Sequence, residues 1–263
     1  YSDAPKPFYD FYVCNTLTYK VSKGRNSYEI RTINRVTADI LGDCTNFVII
    51  TGTGGLGKSM MMRHLLLDCI EQYPIIEKLP IFIPLKDFDA SYDDLTEYVC
   101  EKFDALGGGI DLEDFEDVLS EGKCLLLFDG LDEIHSDVRK LFEKKLDIFA
   151  DKYSNNMFVI SSRPAMSFVA FNRFTVFELQ PFTKSQALSL IDKLEFRPDE
   201  PTIKAVFRKK LDDDLYRTHR EFTENPLLLT IMLMTFEQCA EVPSKMHIFY
   251  REAYLTLSQK HDA

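Results

Sequence analysis

The chain has 263 residues, of which 45% are hydrophobic, and a net charge of −11. That content suffices for one large domain with a buried core and a smaller second domain, while the acidic balance argues against nucleic acid as a partner. The longest apolar stretch, 226–236, is about half of what a membrane span requires, so we expect no membrane partner either. Six cysteines without metal-ligand spacing are typical of reduced thiols in a cytoplasmic protein.

Residues 1–42 form a flanking segment ahead of the first clear strand. The segment is rich in Tyr and Phe near its start, and its later part has a helical pattern. We predict mixed structure there, with a helix over 28–41. A chain that opens at Tyr1 is expected to be a fragment of something longer.

From residue 43 to 180 the chain alternates between strand-like and helical patterns. This alternation predicts an α/β core with a parallel sheet flanked by helices. After residue 180 the pattern is helical only, which predicts a small all-helical domain over 181–240. Strands are predicted at 46–51, 80–85, 123–128, 157–161 and 174–179. Helices are predicted at 58–72, 92–104, 111–120, 136–152, 164–171, 183–194, 201–211, 225–239 and 246–259.

A glycine-rich run joins the first core strand to the first core helix. Four residues separate Gly52 from the Gly57-Lys58-Ser59 triplet, which is the spacing of a loop whose backbone N–H groups wrap a β-phosphate. Lys58 can reach the β- and γ-phosphates, Ser59 can offer its hydroxyl to Mg²⁺, and the helix adds its positive end. The predicted nucleotide-binding residues are Gly52, Thr53, Gly54, Gly55, Leu56, Gly57, Lys58, Ser59 and Met60.

A second strand ends in carboxylates, which a magnesium–nucleotide site also needs. Residues 124–128 are apolar and lead into Asp129, with Asp132 and Glu133 close behind. Open α/β sheets bind ligands at the carboxyl ends of their strands, so Asp129 can hold Mg²⁺ through water. Asp132 is the predicted water-orienting base and Glu133 the competing candidate. The alternative for both acids is to cap the helix that follows.

A third strand, 157–161, leads to Arg163. If this strand lies in the same sheet, the guanidinium emerges beside the phosphates, where it can sense or stabilise charge on the γ-phosphate. The alternative is a surface arginine that precedes a helix-starting Pro164. Arg163 therefore joins Asp132 and Glu133 as a candidate catalytic residue.

Together these elements resemble the NACHT branch of the STAND ATPases, which are P-loop switches of innate immune receptors. The resemblance is carried by Gly-Thr-Gly-Gly-Leu-Gly-Lys-Ser at 52–59, Asp-Gly-Leu-Asp-Glu at 129–133 and Ser-Ser-Arg-Pro at 161–164. Gly130 is the most discriminating detail, because typical AAA+ machines and helicases carry the catalytic Glu directly after the metal Asp. Pro226, which opens an apolar helical run, looks like the proline that packs on the adenine in this family.

The resemblance implies a P-loop NTPase core at 43–180 that binds ATP or ADP with Mg²⁺ and hydrolyses ATP slowly. It also implies control of self-oligomerisation in a larger immune-type receptor, whose effector and sensor domains would be further partners. Residues 241–263 look like the lead-in to a winged-helix domain. The flank at 1–42 could cover the adenine face, as in relatives, or equally be a linker. Alternatives are a continuously cycling protein-remodelling ATPase, which would need an acid at position 130, and a nucleotide-binding scaffold without hydrolysis.

Overall fold

The computed structural model describes residues 6–24, 27–105, 107–164, 168 and 171–236, which divide into a sheet unit and a helical unit. The sheet unit comprises residues 16–54 and 58–180. The helical unit comprises residues 55–57 and the described residues up to 15 and from 181. The predicted helix at 246–259, the lead-in at 241–263 and most of the predicted helix at 164–171 lie outside the described residues. The domain bounds at 42, 180 and 240 stay predictions.

One mixed sheet organises the sheet unit. Its strands are β1 (Leu17–Gly24), β2 (Ser27–Ile33), β3 (Phe47–Thr51), β4 (Leu79–Pro84), β5 (Cys124–Asp129), β6 (Met157–Ser162) and β7 (Thr175–Leu179). In the described part of the chain these seven strands follow the order β2-β1-β7-β3-β6-β5-β4. The run from β7 to β4 is parallel, whereas β1 pairs antiparallel with both β7 and β2. The five predicted strands and the α/β fold class are confirmed.

The prediction of a helix over 28–41 is wrong. Residues Ser27–Ile33 form β2, and the helix that follows begins only at Ala38. Tyr28, Ile30 and Thr32 stand at every second position, which is the period of a strand. Only Ile33 of this edge strand is buried, so the apolar pattern that marks a buried strand is missing.

Helices surround the sheet and build the second unit. In the sheet unit they are α1 (Ala38–Cys44), α2 (Lys58–Glu71), α3 (Tyr73–Ile76), α4 (Leu95–Asp104), α5 (Leu112–Ser120) and α6 (Ser136–Lys152). In the helical unit they are α7 (Lys184–Lys193), α8 (Pro201–Lys210), α9 (Tyr216–Thr218), α10 (Arg220–Thr223) and α11 (Pro226–Thr235). Short 3₁₀ turns occur at Phe8–Asp10, Leu85–Asp87 and Leu131–Glu133, and a π-helical turn at Leu211–Leu215. Within the described residues no helix has the length and apolarity to cross a bilayer.

Each unit has its own apolar core. In the sheet unit β5 and β6 are almost wholly buried, as expected for strands that carry unbroken apolar runs. Aromatic side chains from these strands and from the helices pack together in this core, among them Tyr98, Phe115, Phe128, Phe142 and Phe158. The core of the helical unit includes Phe207, Leu211, Leu229, Met232 and Leu233. The residues that follow Phe128 and Ile160 are therefore carried on rigid strands.

Asn156 is a fully buried amide that fixes the starts of β5 and β6. Its Oδ1 accepts a hydrogen bond from the Cys124 N–H at 2.9 Å. Its Nδ2 donates to the carbonyl oxygens of Leu119 at 2.7 Å and Tyr153 at 2.9 Å. One side chain thus satisfies groups from the end of α5, the end of α6 and the start of β5.

We predict that Asn156→Ala lowers the free energy of unfolding by about 3 kcal/mol, because it leaves the buried Cys124 N–H without its acceptor and removes the two bonds that the amide donates. Urea unfolding followed by circular dichroism measures this difference. Asn155→Ala is the control, since Asn155 is exposed and should change stability by less than about 0.5 kcal/mol. Equal effects of the two substitutions would refute the role of the Asn156 amide.

Candidate functional site

The carboxyl ends of β3, β5 and β6 meet at one edge of the sheet. Thr51 at the end of β3 pairs with Ser162 at the end of β6, and Phe128 of β5 pairs with Ile160. The Gly52 N–H then donates to the Ser162 carbonyl at 3.3 Å. The glycine-rich loop, Asp129 and Arg163 therefore emerge side by side, as the sequence predicts for strands of one parallel sheet.

The loop has the backbone conformation that its glycines allow. Gly55 and Gly57 have φ values of +80° and +99°, a region that residues with a Cβ rarely adopt. Residues 55–57 cluster with the helical unit, and in that unit the Gly55 carbonyl accepts from the Leu227 N–H at 3.3 Å. A Cβ added at Gly55 would lie 2.6 Å from the Asn225 Oδ1, so only glycine fits this position.

Lys58 is the first residue of α2, and its amine is held against the loop. The Nζ donates to the carbonyl oxygens of Gly52 at 2.7 Å and Thr53 at 3.3 Å. Burial lowers the pKa of Lys58, although the neighbouring carboxylates of Asp132, Asp129 and Glu133 act to raise it. The amine is therefore a partly desolvated cation. It can leave these two carbonyl oxygens for the oxygens of a bound anion, which are stronger hydrogen-bond acceptors.

Asp129 ends β5, and its carboxylate is held from the neighbouring strand. The Ser161 Oγ donates to the Asp129 Oδ1 at 2.5 Å, and the Gly130 N–H donates to the same Oγ at 2.8 Å. The sequence motif at 161–164 contains this serine, but the motif alone assigns it no role. The signal that could have found it is a polar residue directly after the buried apolar run 157–160.

Asp132 and Arg163 form an ion pair at the same edge. The Asp132 Oδ1 accepts from the backbone N–H of Arg163 at 3.0 Å, and the Asp132 Oδ2 lies 2.9 Å from the Arg163 Nε. The Asp132 side chain is only 13% exposed, whereas that of Arg163 is 63% exposed. The candidate base, Asp132, is therefore held in place, whereas the guanidinium of Arg163 is exposed and can bind a ligand.

Glu133, the competing candidate for the base, is exposed. Both acids lie in the 3₁₀ turn Leu131–Glu133, and α6 starts separately at Ser136 after His135. The alternative that they cap this helix is therefore excluded. Gly130 has a φ of +87°, and a Cβ there would lie 3.0 Å from the Glu133 Cδ, so an acid directly after Asp129 would be strained.

Pro226 is the first residue of α11 in the helical unit. Asn225 caps this helix, because its Oδ1 accepts from the N–H groups of Leu227 at 3.1 Å and Leu228 at 3.2 Å. The predicted helix start at this proline is confirmed. Its contact with a nucleotide base stays a prediction.

The residues present fit a magnesium–nucleotide complex. Magnesium in such complexes takes most of its ligands from water and phosphate, so one or two protein oxygens suffice. The Asp129 carboxylate and the hydroxyl of Ser59, which is exposed near the start of α2, offer such oxygens. No cluster of three or more His, Cys, Asp or Glu residues suited to a metal occurs among the residues that the structure describes. The donor set thus suits a metal that arrives with phosphate.

One family model matches the part of the chain that contains most of the candidate site residues. The NACHT domain model matches residues 46–196, more than half of the chain, a range that includes every predicted site residue except Pro226. No curated protein matches the chain.

Several solved structures are similar at low identity. Domain III of the replication initiation protein DnaA from Thermotoga maritima is 15% identical, with a TM-score of 0.41 over 81% of this chain and 83% of that one. C. elegans PCH-2 is 14% identical, with a TM-score of 0.41 over 81% and 62%. Drosophila ORC bound to DNA is 12% identical, with a TM-score of 0.45 over 82% and 61%.

Proposed function

This chain belongs to the NACHT domain family, a family of P-loop NTPases, and from that premise we propose that it is an ATP- and ADP-binding switch with slow, regulatory ATP hydrolysis. The observation that carries the proposal is the pair between Asp132 and Arg163. It joins the candidate base for hydrolysis to the candidate sensor of the γ-phosphate.

Nucleotide binding rests on the loop from Gly52 to Met60. Its backbone N–H groups surround the β-phosphate, and the Lys58 amine turns from the carbonyls of Gly52 and Thr53 to the phosphate oxygens. Asp129 and Ser59 would hold Mg²⁺, which when bound neutralises charge on the β- and γ-phosphates. In the proposed reaction water attacks the γ-phosphorus in line, the bond from this phosphorus to the bridging β–γ oxygen breaks, and ADP and inorganic phosphate leave.

Arg163 has two possible partners in this scheme. Without a γ-phosphate within reach, its guanidinium stays on the Asp132 Oδ2. A γ-phosphate carries more negative charge and competes for the same guanidinium. Once Arg163 turns to the phosphate, the Asp132 Oδ2 becomes available to orient water, while Oδ1 keeps its bond from the Arg163 N–H. The triphosphate and diphosphate states thus differ in one ion pair, and a switch needs such a difference.

The wider parts of the proposal rest on the family resemblance. Pro226 would contact the adenine, and the flank at 1–42 could cover the adenine face. Nucleotide state would control self-oligomerisation of a larger immune-type receptor in the cytoplasm, with effector and sensor domains as its other partners. The net charge of −11 supports a module that binds neither nucleic acid nor membrane.

We predict that Arg163→Met weakens binding of a non-hydrolysable ATP analogue about tenfold or more, because a charged hydrogen bond contributes about 1.5–3 kcal/mol. The affinity for ADP should stay within about twofold of the wild type. Isothermal titration calorimetry measures both affinities, and GTP in the same series tests the expected preference for adenine.

Arg217→Met is the matched control, since Arg217 is an exposed arginine paired with an aspartate. It should change neither affinity. An equal loss of ADP and ATP-analogue binding in Arg163→Met would contradict a γ-phosphate sensor. Equal affinity of the wild type for ATP and GTP would contradict the placement of Pro226 on the base.

A further inference from the structure

We propose that Ser161 is a positioning residue for the magnesium-binding carboxylate: its hydroxyl orients Asp129 and so sets how strongly Mg²⁺ strengthens nucleotide binding. The inference deepens the proposed function and rests on it. Ser161 itself touches neither the metal nor the nucleotide in this scheme, and it acts only through Asp129.

The hydrogen-bond directions around Ser161 are fixed. A backbone N–H can only donate, so in the bond from Gly130 at 2.8 Å the Ser161 Oγ is the acceptor. A hydroxyl has a single hydrogen, and that hydrogen points to the Asp129 Oδ1 at 2.5 Å. Ser161 therefore fixes the orientation of Oδ1 of Asp129 and does not bind Oδ2 of the same carboxylate.

The same hydroxyl also fixes the turn after Asp129. The Gly130 N–H is buried with Ser161, and Gly130 is the residue whose φ of +87° redirects the chain toward Asp132. One side chain on β6 thus ties both the carboxylate and the backbone at the end of β5. Residues that orient a metal ligand in this way typically change metal affinity by about 10–100-fold when removed.

The burial of Ser161 supports the assignment of its hydroxyl to these two hydrogen bonds. Ser161 is fully buried, and a buried hydroxyl is costly unless it is hydrogen-bonded. Ser162 next to it is equally buried, yet its Oγ donates to the Arg163 carbonyl at 3.3 Å and makes no bond to Asp129. The chain therefore offers two adjacent buried serines of which only one holds the carboxylate.

The test compares nucleotide affinity with Mg²⁺ and with EDTA, by calorimetry with ADP. In Ser161→Ala we expect the gain in affinity caused by Mg²⁺ to fall about tenfold, while affinity in EDTA stays within about twofold of the wild type. Ser162→Ala also removes a buried hydroxyl, and it should keep the wild-type response to Mg²⁺. Ser161→Thr retains the hydroxyl and should restore much of that response.

A double-substitution cycle separates positioning from general damage to the fold. In an Asp129→Asn background, Ser161→Ala should cause little further loss of the Mg²⁺ response, because the two side chains act as one unit. An unchanged Mg²⁺ response in Ser161→Ala would overturn the inference, as would an equal loss in Mg²⁺ and EDTA. A wild-type protein that binds ADP under neither condition would instead refute the proposed function itself.

Discussion

Replacing Lys58 with methionine is expected to abolish tight binding of ATP and ADP, with a loss of affinity of at least about 100-fold. The Lys58 amine is the cation held by the loop carbonyls of Gly52 and Thr53. Methionine keeps the length of the side chain but offers neither charge nor donors to the phosphates. Calorimetry with each nucleotide measures the loss. Lys123→Met serves as the control, since Lys123 is an exposed lysine paired with Glu121, and should bind nucleotide as the wild type does.

The fold should survive the loss of Lys58. Burial lowers its pKa, which means that the charged amine is less stable in the folded chain than in the unfolded chain. Removing the charge should therefore leave the thermal midpoint of the ligand-free protein unchanged or raise it. In the pH window just below the ordinary lysine pKa, the unfolded chain binds this proton more fully than the folded chain does. Stability of the wild type should accordingly rise with pH there, relative to Lys58→Met. Unchanged ADP affinity in the variant would refute the phosphate loop.

Asp132→Asn is expected to slow ATP hydrolysis by about 100-fold while nucleotide affinity changes little. The asparagine Oδ1 can still accept from the Arg163 N–H, but its amide cannot take a proton from water. Glu133→Gln should have a much smaller effect, because Glu133 is exposed and lies outside the ion pair with Arg163. Steady-state phosphate release, measured on both variants and the wild type, distinguishes the two acids. A larger loss in Glu133→Gln would make Glu133 the base.

The wild type in that assay also distinguishes the classes of function. We expect slow turnover by a protein that light scattering reports as a monomer, because release of a nucleotide clamped by several elements commonly limits turnover. Rapid multiple turnover by a stable hexamer would favour a protein-remodelling ATPase. Binding without any hydrolysis would favour a scaffold.

The sequence is most informative where strands are buried. The apolar runs that become β3, β5 and β6 predict strands that share one sheet, and their polar ends then have to meet at one edge. The shared location of the loop, Asp129 and Arg163 therefore follows from the sequence on the condition that these strands lie in one parallel sheet, which the structure shows. The location of β2 does not follow from the sequence, because most of its residues are exposed at the edge of the sheet. The strand therefore lacks the alternation of buried apolar and exposed polar residues that would reveal it.

The pairings within the site are less accessible from the sequence. The contact between Asp132 and Arg163 depends on the 3₁₀ turn after Gly130, whose φ of +87° cannot be deduced from the presence of a glycine alone. Sequence spacing places both residues near the same edge but leaves their partners open. The role of Ser161 depends in the same way on the register between β5 and β6.

The position of β1 in the sheet has a consequence for how the chain folds during synthesis. β1 pairs with β2 and with β7, and Leu17 lies opposite Leu179. A two-stranded antiparallel pair is marginally stable by itself in water. β1 and β2 leave the ribosome before the other described strands of this sheet but gain their third strand only after residue 179 has emerged. The two strands that come first in this sheet are thus among the last to be secured, and the sheet is complete only when nearly the whole core is available.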